Sequence, residues 1–524
     1  MKERRKKLLI YVLSGVLLLA FIATRLWRNR IIPHGWHIDE IATTYDAWSL
    51  ANYGVDRHLK SWPIYLINFG GGQSVLYCYL CAALFKLFGF SYGLIRIPAV
   101  LFSFLTLVFG MLTVRKLFPD KPLLMWIAGI LIVICPYFIL SSRYALDCNL
   151  MLGMSTVFLY CMICAMEGQK YRWYVLAGVT GGLILYTYAL AYLAVPVFLV
   201  LSLIYVIWTR RFFFTHWVAM AIPMGFLAFP LILEQYINFF DLDEIRLGVF
   251  TVTKMLNYRG NEVGHLHWQN FTNTLKSVFV GDWLPYNSIP GFPNLYYITI
   301  PLAMIGAAAC LVRLGGCLKR REFTASVYPF FWFLALLLVM SNVYAANTNT
   351  VNGIFFSVIF LTIEGISILL AIGKKWGRIA VGICSALYCI GFMRFGSYYY
   401  LGGYSTEHPT LIYFDITVEE AVEFLEEHPQ YKHKGTYMAE DPIYFAISTL
   451  ASPYDLRMEE NEHLLLDYYY CGSLPALEDG YNYIVRDIYG EYAQELRDLG
   501  YTEIKYTFYS LFYQEQYQEI SESL

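Results

Sequence analysis

The sequence predicts a membrane-embedded bundle of about eleven helices, followed by a small C-terminal α/β domain. Of the 524 residues, 58% are hydrophobic and only 15% are charged, and the mean hydropathy is +0.47. Soluble domains carry about 25% charged residues, and a single soluble core stops growing near roughly 300 residues. A net charge of −2 excludes a polybasic nucleic-acid binder. The chain is therefore expected to cross a membrane many times.

Eleven apolar runs are long enough to span a bilayer. They cover residues 8–27, 94–114, 123–141, 150–167, 172–189, 191–208, 213–234, 295–313, 325–343, 351–371 and 377–396. The run Ser74–Phe88 is predicted to be an amphipathic helix in the outer interface. With that assignment, the basic clusters around Arg115, Arg211, Arg320 and Lys375 all face the cytoplasm, together with the N-terminal KERRKK.

The charge distribution changes sharply near residue 397. Residues 401–524 contain 24 acidic and 6 basic side chains, whereas the first 400 contain 16 and 32. We therefore predict a transmembrane domain over 1–396 and an extracytoplasmic domain over 397–524. The latter should be α/β, with strands near Thr436–Met438, Tyr481–Arg486 and Thr502–Tyr509 and helices near Thr417–Glu427 and Glu491–Leu499. External loops are expected at 28–93, 142–149, 235–294 and 342–350. The first and third are too long for simple turns, and loops of that size are usually functional.

The carboxylate pair Asp39-Glu40 follows the first span directly. Desolvation beside a membrane would raise the pKa of one carboxyl, as a general base requires. The alternative is structural: Asp39 could cap a helix that starts near Ile41, with Glu40 complementing its dipole.

A second candidate lies just after the third span, in SSRYALDCN. Arg143 has the forked cation that suits phosphate oxygens. Asp147 is four residues further on, so on a helix the two side chains could simply form an ion pair. The alternatives are equally supported by the local sequence.

The remaining candidates lie in the later loops. Arg259 is a further possible phosphate-binding cation. The pair His265-x-His267 could ligate a metal, but no third ligand follows at a recognisable spacing. Asn349 and Asn352, with Asn342 and Asn347, could bind sugar hydroxyls, although turn and cap roles explain such residues equally well. No metal site is predicted, and the apolar Cys pairs are expected to be buried thiols.

Three motifs, in this order, resemble the protein O-mannosyltransferase and lipid A aminoarabinose transferase family of GT-C glycosyltransferases. The first is Asp39-Glu40 within HIDEIATTYDAWSLANYG. The second is LFKLFGFSYGLIRIP, and the third is SSRYALD. The resemblance implies a bacterial plasma-membrane enzyme with a cytoplasmic N-terminus, which moves a sugar from a polyprenyl-phosphate donor to an acceptor hydroxyl of the cell envelope.

The same resemblance implies the residue roles. Asp39 would be the general base, assisted by Glu40, and Arg143 and Arg259 would stabilise the departing phosphate, with inversion at the anomeric carbon. Asp147, like Glu40, would orient the base and the arginine or contact the sugar. Gln73, Asn349 and Asn352 are further candidates for orienting the sugar. Where the family often has a second acidic residue, this chain has Gln73, which cannot act as a base. No cofactor is expected, although a divalent cation is possible.

Two other function classes fit the bundle less well. A transporter or flippase of a lipid-linked substrate would favour inverted repeats and charges at the membrane midplane, whereas the ionisable residues here gather near one face. A lipid-linked oligosaccharide transferase is the nearest alternative among enzymes.

Overall fold

The computed structural model describes most of the chain as two compact units. It covers residues 2–68, 71–258, 260, 263–264, 267–282, 286–343, 346–373, 375–406, 414–431, 434–437, 443–456, 464–465, 468–470 and 481–514. The first unit comprises residues 1–32, 63–80 and 91–404, and the second comprises 33–62, 81–90 and 405–524.

The secondary structure is mainly helical. In chain order, the α-helices are α1 (Lys2–Leu26), α2 (Ile38–Tyr53), α3 (Leu76–Phe88), α4 (Ile97–Leu117), α5 (Leu123–Ile134), α6 (Pro136–Leu140), α7 (Asn149–Gly168), α8 (Tyr171–Ile184), α9 (Ala191–Trp208), α10 (Phe214–Phe239), α11 (Trp268–Phe279), α12 (Thr299–Arg320), α13 (Tyr328–Met340), α14 (Phe355–Leu369), α15 (Trp376–Gly396), α16 (Gly403–Thr406), α17 (Glu419–Glu427), α18 (Ile443–Thr449), α19 (Pro453–Leu456) and α20 (Gly490–Asp498). The strands are β1 (Trp36–His37), β2 (Tyr65–Leu66), β3 (Gln73–Ser74), β4 (Ile245–Leu247), β5 (Phe250–Val252), β6 (Phe414–Asp415), β7 (Lys434–Tyr437), β8 (Leu464–Leu465), β9 (Tyr468–Tyr470), β10 (Tyr481–Arg486), β11 (Thr502–Lys505) and β12 (Tyr509–Tyr513).

A helix occupies each of the eleven predicted spans, which confirms the membrane helix bundle. Within the described residues, seven helices are long and apolar enough to cross a membrane, and several shorter apolar helices accompany them. The span predicted over 123–141 is broken into α5 and α6 at Pro136, because proline lacks the N–H that would continue the helix. The run predicted to lie in the interface forms the separate, 13-residue helix α3.

Close helix contacts in the bundle depend on small residues. This is usual in membranes, where the hydrophobic effect does not drive helices together and close packing does so instead. Helices α12 and α14 meet at Gly306 and Gly365. A Cβ atom on Gly306 would collide with the carbonyl of Leu361, and one on Gly365 with the carbonyl of Leu302. Backbone therefore lies directly against backbone at this crossing.

The basic clusters gather at one end of the bundle. Lys116 pairs with Glu167 at 2.7 Å, which brings together the C-terminal ends of α4 and α7. At the ends of α9 and α12, the Trp208 indole donates to Leu318 O at 2.8 Å, and the Arg321 guanidinium lies 5.2 Å from the Trp208 ring. The C-terminal ends of α4, α7, α9 and α12 thus share an end, as alternating spans require.

The second unit is α/β, as predicted. Among its described residues, six strands form one sheet with the order β11-β12-β10-β7-β9-β8, in which β7 is parallel to both β10 and β9. The predicted strand over Thr502–Tyr509 is the hairpin formed by β11 and β12 instead. A turn at this point was missed because both arms carry the same β-type composition.

The chain segment 33–62 folds with the C-terminal segment. Strand β1 pairs antiparallel with β6, and the Tyr45 hydroxyl, on α2, donates to Ala451 O at 2.6 Å. The Tyr444 hydroxyl, on α18, donates to Trp36 O at 2.8 Å. Helix α2, which carries Asp39 and Glu40, therefore belongs to the second compact unit. The domain boundary near residue 397 stays a prediction.

Candidate active site

Asp39 and Glu40 lie in the first turn of α2, which begins at Ile38. The N-cap is His37: its Nδ1 accepts the backbone N–H of Asp39 at 3.1 Å. Glu40 completes the capping box, because its Oε2 accepts the backbone N–H of His37 at 2.9 Å. The expectation that Asp39 caps a helix starting near Ile41 is therefore wrong. A histidine cap was missed because Ser, Thr, Asp and Asn are the usual residues there.

The capping box leaves the two carboxylates in different environments. Glu40 is fully buried, whereas the Asp39 side chain is 34% exposed and its Oδ2 lies 3.6 Å from His37 Nδ1. Burial lowers the pKa of His37, so the imidazole is neutral at pH 7, and its Nδ1 is already an acceptor for Asp39 N–H. Asp39 is the carboxylate of the pair that a substrate can reach.

Arg143 lies in the first unit and is completely buried. Its guanidinium donates to four carbonyl oxygens around the end of α1: Thr24 at 3.3 Å, Arg25 at 2.9 Å, Trp27 at 3.0 Å and Ile32 at 2.7 Å. Its Nε donates to the Tyr399 hydroxyl at 3.2 Å. These bonds satisfy carbonyls that a helix end leaves without partners. A phosphate ligand would have to replace some of them.

Asp147 contacts the hairpin formed by β2 and β3. Its Oδ2 accepts the backbone N–H of Ser74 at 3.0 Å, and its Oδ1 accepts that of Cys148 at 2.7 Å. The segment from Ser141 to Cys148 consists of turns, so the alternative of a helical Arg143–Asp147 pair with i, i+4 spacing does not apply. The structure instead brings Asp147 next to Gln73.

Gln73 is buried in the same hairpin, where its Oε1 accepts from Asn68 Nδ2 at 3.0 Å. The preceding Gly72 has φ +82°, and a Cβ there would strike the Tyr65 ring. Glycine is thus required at the turn. A carboxylate does lie beside this strand, but it comes from Asp147.

Asn349 and Asn352 belong to a network of amides, most of them buried, that joins three parts of the chain. Asn287 Nδ2 donates to Asn149 Oδ1 at 2.7 Å and to Asn349 Oδ1 at 2.8 Å. Asn352 Nδ2 donates to Cys148 O at 2.6 Å and to Asn349 O at 2.8 Å. In the described part of the chain, Asn287 Oδ1 and Asn352 Oδ1 have no partner. By contrast, Asn342 and Asn347 make local bonds.

One acidic residue near this region was missed. Glu234, on α10, is buried and accepts from Asn238 Nδ2 and Gln235 Nε2, both at 2.7 Å. Asn238 Nδ2 also donates to Thr253 O at 3.1 Å, and the Thr253 hydroxyl donates to Tyr65 O on β2. The sequence does point to Glu234, because a glutamate at the end of an apolar span is costly to bury and therefore indicates a functional site.

The predicted cation Arg259 lies outside the described residues, as does His265. Among the residues that are described, no three His, Cys, Asp or Glu side chains are grouped as metal ligands. Cys78, Cys81, Cys161 and Cys164 are buried free thiols.

Comparisons with known proteins agree with this architecture. Residues 73–233 match the family model described as dolichyl-phosphate-mannose-protein mannosyltransferase. The fold is similar to that of ArnT from Cupriavidus metallidurans bound to undecaprenyl phosphate, with a TM-score of 0.53 and 12% identity over 96% of this chain and 97% of that one. The apo state of the same protein gives a TM-score of 0.55 and 11% identity, with 97% and 98% covered.

No curated protein matches the sequence of this chain. The likeness to ArnT covers nearly the full length of both chains, and the family match includes the segment with Arg143 and Asp147. The predicted resemblance is confirmed: the chain has the same fold as ArnT, and residues 73–233 match the mannosyltransferase family model.

Proposed function

We propose that this protein transfers a sugar from a polyprenyl-phosphate donor to an acceptor hydroxyl at the outer face of a bacterial plasma membrane. The observation that carries the proposal is the difference between Glu40 and Asp39 in the first turn of α2. Glu40 accepts the backbone N–H of His37 in the capping box, and the Asp39 side chain is 34% exposed at a fixed position of the same turn. A general base needs this combination of a rigid backbone and an accessible oxygen.

In the proposed reaction, Asp39 accepts the proton of the acceptor hydroxyl as that oxygen attacks the anomeric carbon. The bond from the anomeric carbon to the phosphate oxygen breaks, and the polyprenyl phosphate leaves with the electron pair. A single displacement inverts the configuration. Glu40 acts by holding the turn, and Arg143 or Arg259 stabilises the departing phosphate. Such a leaving group needs no metal, so we propose that catalysis is independent of divalent cations.

The polar side chains of the first unit suit the sugar. Asp147, Gln73, Asn349 and Asn352 offer carboxylate and amide groups, and two buried amide oxygens of this network lack a donor in the described structure. Sugar hydroxyls can supply such donors. The bound undecaprenyl phosphate of the ArnT structure supports the polyprenyl class of donor. The proposed acceptor is a molecule of the cell envelope that presents a hydroxyl at the outer face of the membrane.

The proposed orientation follows from the two ends of the bundle. The end with Lys116, Arg321 and the other basic clusters would face the cytoplasm. The N-terminus would then be cytoplasmic and the C-terminal domain extracytoplasmic, with the bundle surrounded by membrane lipids.

The test uses purified wild type, Asp39→Asn and the exposed control Asp498→Asn in liposomes. Each is given a panel of polyprenyl-phosphate sugars and a cell-envelope extract, and mass spectrometry follows the release of polyprenyl phosphate. We expect release by wild type and control, a loss of at least about 100-fold in Asp39→Asn, and no effect of EDTA. Equal release by all three proteins would show that a residue other than Asp39 is the general base. Absence of release from every donor, with substrate accumulation inside the vesicles, would establish transport instead.

A further inference from the structure

A cationic cavity lies between the end of α1 and the start of α4, within the first unit. Its volume is about 410 Å³, and its walls include Arg28, Arg30 and Arg96. None of the described residues that line it is acidic. Three arginines at this end of the bundle contrast with the positive-inside pattern, which places Lys and Arg at the opposite end. Three arginines without an acidic neighbour among the described residues of the cavity wall are suited to bind an anionic ligand.

The loop that carries two of these arginines is fixed by buried cations. Arg143 donates to Trp27 O at 3.0 Å and to Ile32 O at 2.7 Å. Arg96, itself almost fully buried, donates to Asn29 O at 3.0 Å. The backbone of residues 27–32 is thereby held from two sides. Arg28 and Arg30 are exposed, and this loop presents both of them at the cavity.

The position of Arg30 depends on a glycine. A Cβ on Gly93 would lie 2.7 Å from Arg30 Nη2 and 2.9 Å from its Nε. The guanidinium therefore lies directly over the Gly93 backbone, and it also donates to Ser91 Oγ at 3.3 Å. A side chain at residue 93 would therefore force this guanidinium to shift.

The surroundings are those of a lipid headgroup rather than of open solvent. Leu26, Ile31 and Ile97 form apolar walls, and the α1 surface leading to them exposes Leu19 (68%) and Ile22 (41%). Trp27, which is 46% exposed, marks the level at which indole rings sit at a membrane interface.

One polar atom of the wall needs a donor. Asn29 Oδ1 is buried without a partner in the described part of the chain. A headgroup that carries hydroxyls beside its phosphate would satisfy it, while the phosphate oxygens accept from the arginines.

We propose that this cavity binds an anionic membrane phospholipid with a hydroxylated headgroup, of the phosphatidylglycerol class. Its acyl chains lie along the exposed face of α1. None of the residues that line the cavity is assigned to sugar transfer, although Arg143 holds its loop, and the test needs no enzymatic activity.

The test measures lipid binding to the full-length protein in detergent by native mass spectrometry. Wild type is compared with the double variant Arg28→Gln/Arg30→Gln. The matched control, Arg210→Gln/Lys319→Gln, removes two exposed cations at the opposite end. We expect phosphatidylglycerol to bind about tenfold more weakly to the double variant, with no change in the control and none for phosphatidylcholine. Equal affinity of wild type and double variant for phosphatidylglycerol would overturn the proposal.

A second variant keeps every charge. Gly93→Ala should weaken phosphatidylglycerol binding about threefold, because it displaces Arg30 without removing it. Unchanged affinity would contradict the assigned role of Arg30.

Competition distinguishes the possible sources of the phosphate. Displacement by inorganic phosphate at concentrations similar to those of the lipid would show that the cavity holds only a phosphate ion. Displacement by undecaprenyl phosphate at lower concentrations than by phosphatidylglycerol would make the polyprenyl lipid its ligand. Either result would overturn the phospholipid assignment.

Discussion

The Asp147 carboxylate accepts the backbone N–H of Ser74 at 3.0 Å, across 73 residues of sequence. This bond places a carboxylate beside β3, the strand that also carries Gln73. Asp147 is also bonded to the N–H of Cys148, so it ties the hairpin to the turn that follows Arg143.

We expect Asp147→Asn to lower kcat/KM about 10- to 100-fold, since a hydrogen bond to a charged group contributes roughly 1.5–3 kcal/mol. Release of polyprenyl phosphate by purified protein is the measurement, with Asp498→Asn as the exposed control. Unaltered kcat/KM would show that the Asp147 charge serves neither the hairpin nor the sugar.

Substitutions of Glu40 separate its structural role from a chemical one. Glu40→Gln retains the capping box, because glutamine also occupies this position, and should leave stability and activity close to wild type. Glu40→Ala should lower the free energy of unfolding by about 1 kcal/mol, as followed by thermal denaturation. If Glu40→Gln were as inactive as Asp39→Asn, the charge of Glu40 would take part in the reaction.

Arg143→Lys tests whether the buried guanidinium holds α1 or binds the donor. A lysine cannot reach the same set of carbonyls, and unsatisfied buried acceptors cost roughly 1–3 kcal/mol each. We therefore expect a marked drop in the melting temperature. A raised KM for the donor at an unchanged melting temperature would instead favour phosphate binding. Arg210→Gln, which replaces an exposed arginine, serves as the control.

The second unit contains a buried acidic cluster whose titration should be visible near neutral pH. Burial, reinforced by the charge of Asp46, raises the pKa of Asp56 to about 7. Asp46 is buried too and lies beside Arg57: its Oδ1 accepts Arg57 N–H at 3.0 Å. Burial raises its pKa as well.

Because the folded state keeps its proton on Asp56 to higher pH than the unfolded chain does, the free energy of unfolding should fall as pH rises from about 4 to 7. Above pH 7 this contribution levels off. Thermal denaturation should show Asp56→Asn close to wild type at about pH 4 and increasingly more stable than wild type as the pH rises to about 7, because asparagine stays neutral, whereas Asp498→Asn should follow wild type. A constant difference would mean that Asp56 is ionised throughout.

Local patterns in the sequence were enough to predict the helix bundle, the α/β nature of the C-terminal segment and the position of Asp39-Glu40 after the first span. Hydropathy over about 20 residues and the period of a helix or strand are properties of contiguous chain. Each predicted span accordingly contains a helix, and the separate interfacial run forms α3.

Tertiary structure decided which of these residues act together. Four partners of Arg143 are backbone carbonyls at the end of α1 and in the segment that follows it, more than 100 residues away, and one partner of Asp147 is the backbone of Ser74. Because nearly every residue has the same backbone groups, the sequence does not indicate which backbone group a given side chain will bind. Likewise, the pairing of β1 with β6 joins the Asp39 segment to the C-terminal segment, and only the folded chain brings those distant strands together.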